Sequence, residues 1–274
     1  MTEILGIEYL RKIGASLSAV IPQLRFSATV REPLEVGASG DKTFQIDRVA
    51  EDTVVSALKG LRRPLTIVSE EMGMLDIGGG GDRVLIDPVD GSKNAISGLP
   101  LFCTSIAVAA GETVKEIYLS YIINLLSGDE FWAEKGRGAY WNGQRLRTQT
   151  DDQIRVVIYE TQNPGRDIPG ILPLLSLSNR TRCFGSTALD LAFVSSGAVS
   201  IYANPSPSRS FDFAGGLLLV REAGGIITDA IGGNIDGVEL SIKKSTPLLV
   251  SGNESLHKKA LEALSESQVE HFNL

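Results

Sequence analysis

The chain has 274 residues, of which 43% are apolar, and a formal charge of −7. That length can bury a large core as one domain or two joined subdomains. An acidic balance without a dense basic tract speaks against nucleic acid as a partner, and the lack of any long uninterrupted apolar run speaks against a membrane span.

The first 24 residues mix charges with apolar side chains at helical spacing, so an amphipathic helix is expected there and not a signal peptide. Residues 26–36 are expected to be a strand or extended. Residues 37–42, with two glycines, read as a loop that is either a lid or a surface connection. A helix is predicted over 43–59, with Asp47 near its beginning, and a buried strand over 64–70, ending in Glu70 and Glu71. Carboxylates at a strand end either face a cleft or are solvated. The glycines at 78–81 lack the G-K-[S/T] ending of a phosphate loop, so 72–82 is expected to be a flexible hairpin.

Residues 83–100, RVLIDPVDGSKNAISGLP, are the informative stretch. A strand at 84–86 is expected to stop at Asp87-Pro88, turn through Asp90-Gly91 and enter a short helix near Ser92. Such a turn sets two carboxylates beside backbone N–H groups freed at a helix start. Carboxylates attract hard divalent cations, and free N–H groups attract phosphate. The same residues also suit a plain turn in which Asp87 caps amides and Gly91 supplies a left-handed conformation.

Beyond the turn, β-rich runs at 101–110, 116–126 and 129–134, with hairpin signals at 135–138 and 141–144, imply an antiparallel sheet. After 151 the pattern alternates between strands and helices through 154–159, 171–177 and 182–184. A helix at 186–196 and a strand at 199–203 follow. Residues 204–210, with two prolines, read as a loop; 212–223 is a helix leaving through Gly224, and 225–229 a strand. The only two histidines, His257 and His271, fall in the terminal helix, and no G-x-S-x-G occurs, which disfavours a Ser-His-Asp site. Cys103 and Cys183 have no metal-ligand spacing, so zinc and a disulfide scaffold are not expected; one bridge stays open, and the cytoplasm is the default location.

Three blocks, Ser69-Glu70-Glu71, Asp87-Pro88-Val89-Asp90-Gly91-Ser92-Lys93-Asn94 and Phe211-Asp212-Phe213-Ala214-Gly215-Gly216 leading to Glu222-Ala223-Gly224-Gly225, resemble the metal-dependent sugar phosphatases. That group includes inositol monophosphatases and archaeal-type fructose-1,6-bisphosphatases. The resemblance implies an α/β (α+β) layered α-β-α-β-α sandwich, with an antiparallel-rich half over 1–145 and a smaller α/β half over 146–274 carrying Asp212 and the substrate loop. It implies two or three Mg²⁺ ions held by Glu70, Asp87, the Val89 carbonyl, Asp90 and Asp212. Gly91 and Ser92 would bind phosphate through backbone N–H groups, and the Ser92 hydroxyl, paired with Asp47, would activate water beside Glu70. Gly185, Ser186 and Arg209 are the candidate substrate-binding residues, with Arg209 either meeting a second phosphate or being a plain surface charge. Ser92 stands where the family more often has Thr, and Phe211 where it has Trp. The implied activity is Mg²⁺-dependent hydrolysis of small sugar or polyol phosphates, by a homodimer as is the family's habit. The alternatives are a 3′-phosphoadenosine nucleotide or NADP phosphatase, and a non-catalytic metal- or phosphate-binding relative.

Overall fold

The computed structural model describes residues 4–27 and 29–271, with side chains to residue 265. The chain runs α1 (Ile7–Leu24), β1 (Glu35–Val36), β2 (Lys42–Thr43), α2 (Gln45–Gly60), β3 (Leu65–Ser69), β4 (Gly73–Ile77), β5 (Asp82–Asp90), α3 (Ser92–Ser97), β6 (Cys103–Ala109), β7 (Ile117–Asn124), β8 (Glu130–Glu134), β9 (Gly138–Trp141) and β10 (Gln144–Arg145). It continues through β11 (Val156–Tyr159), α4 (Pro164–Ser176), β12 (Arg180–Arg182), α5 (Thr187–Ser195), β13 (Ile201–Arg209), α6 (Ser210–Ala223), β14 (Ile226–Thr228), β15 (Lys244–Ser251) and α7 (Glu254–His271).

An eight-stranded sheet has the order β10-β9-β8-β7-β6-β5-β3-β4, antiparallel except where β3 lies parallel to β5. A five-stranded sheet has the order β12-β11-β13-β15-β14, parallel among its first three strands and antiparallel after β13. Helices α1 and α2 cover one face of the large sheet, α5 and α6 fill the space between the sheets, and α4 and α7 close the outer face of the small one. These are the five layers of the expected sandwich. Because α6 is enclosed on both sides, it is apolar almost all round, with Phe211, Phe213, Leu217 and Val220 fully buried. The core around it joins Leu85 and Ile122 of the large sheet to Tyr202 and Val250 of the small one.

Three expectations are corrected. Only Glu35–Val36 of the 26–36 segment is a strand, because turns at Ser27–Val30 and Thr29–Glu32 fold the stretch before it. Residues 72–82 do not form a hairpin of their own: β4 pairs along the whole of β3, and Gly78 to Gly81 carry the chain over to β5, beyond β3, with four successive positive φ angles. Residues 171–177, the helical member of the expected alternation, do lie in and just after helix α4, which begins earlier, at Pro164. The proline-rich 204–210 segment is the end of β13, accommodated by register shifts between Asn204 and Ser208 where the missing proline N–H groups are not needed. His257 falls in the terminal helix as expected and is buried between the Thr228 and Ser251 hydroxyls at 3.0 and 3.1 Å; the side chain of His271 lies outside the described residues. Both cysteines are free, Cys103 buried and Cys183 exposed.

Candidate active site

The central strand runs further than its sequence suggests. β5 continues through Pro88 to Asp90 because a register shift between Asp87 and Asp90 falls where proline would otherwise leave a gap in the ladder. The Thr104 hydroxyl holds the Pro88 carbonyl at 2.7 Å. This bulge turns Asp87, Val89 and Asp90 out of simple alternation, and Gly91 then takes φ +92° to start α3. A Cβ at Gly91 would lie 2.9 Å from the Leu101 carbonyl and 3.1 Å from that of Gly185, so glycine is required on both counts. Asn94 clamps the same junction, its amide donating to Leu101 O at 2.7 Å and Phe184 O at 2.6 Å. Gly185 is thereby fixed beside the turn at Asp90–Ser92.

Three further helix starts surround this turn. Asp47, in the first turn of α2, accepts the Phe44 N–H at 2.7 Å, and Asp212, in the first turn of α6, accepts the Arg209 N–H at 2.9 Å. Asp90 is drawn to the start of α5, accepting the Ser186 hydroxyl at 2.8 Å and the Ala188 N–H at 2.6 Å. Each carboxylate satisfies backbone donors that a helix leaves open. Glu70 follows β3, its N–H donating to Ile86 O at 3.3 Å, which sets it alongside Asp87.

The acids act on one another. Burial, and then Glu70, Asp90 and Asp212, push Asp87 well above the ordinary carboxylate range; burial, and then Asp212 and Glu71, do the same to Glu70. Burial raises Asp90 to about 7 against the pull of Ser186 and Ala188, and raises Asp212 to about 6 against Arg209. Asp87 Oδ1 and Asp47 Oδ1 are buried without a hydrogen-bond partner. Buried acids that repel one another and hold unused oxygens are the donor set a hard divalent cation requires, so the residues fit Mg²⁺. Among the described residues no three such side chains form a ready-made cage, since Asp47, Asp90 and Asp212 each lean toward a helix start.

Ser92 stands between the Val89 carbonyl and Asp47. Its hydroxyl has a single proton and donates it to the Val89 carbonyl at 2.8 Å. Asp47 nonetheless lies close enough for Ser92 to favour its charged form, although burial, the larger influence, lifts it to about 6. Arg209 is no plain surface charge: its side chain is 13% exposed and it binds Asp41 and Ser39 of the 37–41 loop. A cleft of about 630 Å³ opens over the assembly, lined among others by Asp41, Glu70, Gly91, Ser92, Lys93 and Gly185.

Sequence reasoning missed the supports behind these residues. Glu51, fully buried, accepts the Ser69 hydroxyl at 2.5 Å and the Met72 N–H at 2.9 Å, and so fixes the Glu70 strand end. Glu71 is held by the Thr43 hydroxyl and raised by burial to about 7. Glu160 accepts the Gly185 N–H at 2.7 Å. An acid in an otherwise apolar helical face, as Glu51 is, was the one available signal.

The profile of the inositol monophosphatase family matches residues 8–269. The chain is 35% identical over 244 residues to a fructose-1,6-bisphosphatase/inositol-1-monophosphatase of Methanothermobacter thermautotrophicus, covering 85% of this chain and 87% of that one. It is 30% identical over 266 residues to a bifunctional NADP phosphatase/NAD kinase of Methanocaldococcus jannaschii, covering 84% of this chain and 45% of that one. Among solved structures, an inositol monophosphatase-fructose 1,6 bisphosphatase superposes with a TM-score of 0.80 at 27% identity, over 92% of this chain and 98% of the other. With its match running from α1 into α7, the chain belongs to the inositol monophosphatase family.

Proposed function

We propose that the protein is a Mg²⁺-dependent phosphomonoester hydrolase of small sugar or polyol phosphates, fructose-1,6-bisphosphate or inositol-1-phosphate among them. The family is metal-dependent. The observation that carries the reading is the set Glu70, Asp87, Asp90 and Asp212, each pushed up by burial and by neighbouring acids, beside the N–H groups at Gly91 and Ser92. We assign two or three Mg²⁺ ions to Glu70, Asp87, the Val89 carbonyl, Asp90 and Asp212. When bound, they neutralise the phosphate, lower the pKa of a water and stabilise the leaving alkoxide.

The chain's own residues supply orientation and proton transfer. Gly91 and Ser92 hold the phosphoryl oxygens against the start of α3. The Ser92 hydroxyl has two acceptors in reach, the Val89 carbonyl and Asp47, so engaging the carbonyl otherwise frees the proton for Asp47. Asp47, anchored through Oδ2 to Phe44 with Oδ1 unused, is the group placed to take a proton relayed by Ser92 from a water beside Glu70. We assign the alcohol portion to the side of the cleft that Gly185 lines, with Ser186 buried behind it against Asp90 and Arg209 acting through Asp41, which lines the cleft. A homodimer is part of the proposal, and sedimentation would then give twice the 29.3 kDa chain mass.

The test is phosphate release from fructose-1,6-bisphosphate, inositol-1-phosphate, 3′-phosphoadenosine 5′-phosphate and NADP, with Mg²⁺ and with EDTA. Metal-dependent release led by either of the first two is expected. Release from the nucleotides alone would move the function to nucleotide turnover, and release from none would leave a binding protein.

A further inference from the structure

Helix α5 carries one acid that the reaction leaves unused. Asp190 is fully buried, and neither of its carboxylate oxygens has a hydrogen-bond partner. Asp90, at the start of the same helix, is the contrast: the Thr187 and Ala188 N–H groups and the Ser186 hydroxyl all donate to it. The charges that act on Asp190 are both negative, and burial, then Glu160 and Asp90, push it well above the ordinary carboxylate range. A proton alone does not relieve this place, because the O–H so formed needs an acceptor and neither oxygen has a partner.

Three elements bring oxygen atoms toward Asp190. Thr187 and Asp190, three apart on α5, share a face, and the Thr187 hydroxyl meets the Tyr202 hydroxyl of β13 at 3.2 Å. Across the parallel ladder Tyr202 lies opposite Ile158 of β11, and both belong to the core between the sheets. Glu160, two residues on from Ile158, faces the same way, and its N–H extends the ladder to Ala203 O at 3.1 Å. Its Oε1 accepts the Gly185 N–H at 2.7 Å and lies 3.8 Å from the Cys183 sulfur, so both of these contacts fall on one oxygen. The donors are two carboxylates and two hydroxyls, with the exposed Cys183 on the solvent side.

We propose that Asp190, Glu160, Thr187 and Tyr202 form an interior site for a Ca²⁺-sized divalent cation, separate from the Mg²⁺ site of the reaction. The inference goes beyond the phosphatase reading and does not depend on it. Both Asp190 oxygens are open to bidentate binding, which Ca²⁺ takes together with other oxygens in irregular geometry. Mg²⁺ demands an octahedron and keeps several waters, for which a place closed by the buried Asp190 and Tyr202 is poorly suited. Bound there, the cation ties α5 to the ends of β11 and β13. It thereby steadies Gly185 and the helix start that holds Asp90.

Equilibrium dialysis of Ca²⁺ against the full chain in saturating Mg²⁺ tests the site. The wild type should retain about one Ca²⁺ per chain more than Asp190→Asn, and Glu160→Gln should raise the Kd about tenfold, the loss expected of one charged ligand. Calorimetry gives a second readout. At about 100 times Kd, Ca²⁺ should raise the wild-type Tm by about 4 °C above its value in Mg²⁺ alone and leave that of Asp190→Asn unmoved. Without Ca²⁺, Asp190→Asn should melt no lower than the wild type, because the substitution removes a buried unpartnered charge. Equal Ca²⁺ uptake by the wild type and both variants, or a lower Tm of Asp190→Asn without Ca²⁺, would overturn the site. Phosphate release in Mg²⁺ is read separately, so neither result bears on the phosphatase reading.

Discussion

Asp47 is at once the base of the proposed reaction and a burden on the fold, and Asp47→Asn separates the two. Its carboxyl is 1% exposed and rises from the ordinary 3.8 to about 6, chiefly through burial. A rise of about two, at about 1.4 kcal/mol for each, makes the ionised form roughly 3 kcal/mol less favourable in the folded chain than in the unfolded one. The sign follows from proton uptake. The folded protein holds this proton more tightly, so the relative stability is complete below pH 3.8 and is lost as pH climbs through about 6. Asparagine keeps an oxygen for the Phe44 N–H but accepts more weakly, which takes back about 1 kcal/mol. The remaining ~2 kcal/mol, over an unfolding entropy of about 0.6 kcal/mol/K for a chain of this length, raises Tm by about 3 °C at pH 8. At pH 4.5 the burden is only about 1 kcal/mol and the weaker cap cancels it. Calorimetry in EDTA at the two pH values reads this directly, and kcat in Mg²⁺ should fall on the order of 10²–10⁴-fold. A Tm gain that is equal at both pH values, or a loss at pH 8, would refute the burial argument; unchanged kcat would refute the role of base.

Asp87→Asn should abolish metal-dependent phosphate release while circular dichroism stays that of the wild type, since the change removes one charge from a repelling cluster and leaves β5 its pairing. Gly91→Ala should lower Tm by about 3 °C, corresponding to roughly 2 kcal/mol for a positive φ and a carbonyl clash, and should depress kcat as α3 shifts. Mg²⁺ should raise Tm more at pH 8 than at pH 5, because protonated Asp90 and Asp212 do not bind it; an equal rise at both would place the cation elsewhere.

Much of this was legible in the chain because local spacing and tertiary placement agree. The strand-to-helix turn at Asp87–Ser92 and the helix bearing Asp212 are written in turn residues and apolar periodicity, and the structure places both where those signals put them. The extension of β5 through Pro88 and of β13 through Pro205 and Pro207 was not legible, since a bulge depends on a partner strand that sequence does not name. That the Ser92 hydroxyl has the Val89 carbonyl within reach as well as Asp47 depends on geometry a few ångströms wide. The Asp41–Arg209 pair joins residues 168 apart, a separation at which no spacing rule operates.

The enclosure of α6 bears on how the chain is made. The eight-stranded sheet has all its strands once Arg145 has been added, yet its inner face packs against α6, which is complete only at Ala223. At about 5–20 residues per second that face waits roughly 4–16 s for its cover while synthesis continues. A nascent chain halted after β10 should therefore bind apolar-sensing dyes and holdase chaperones, and one halted after β15 should not.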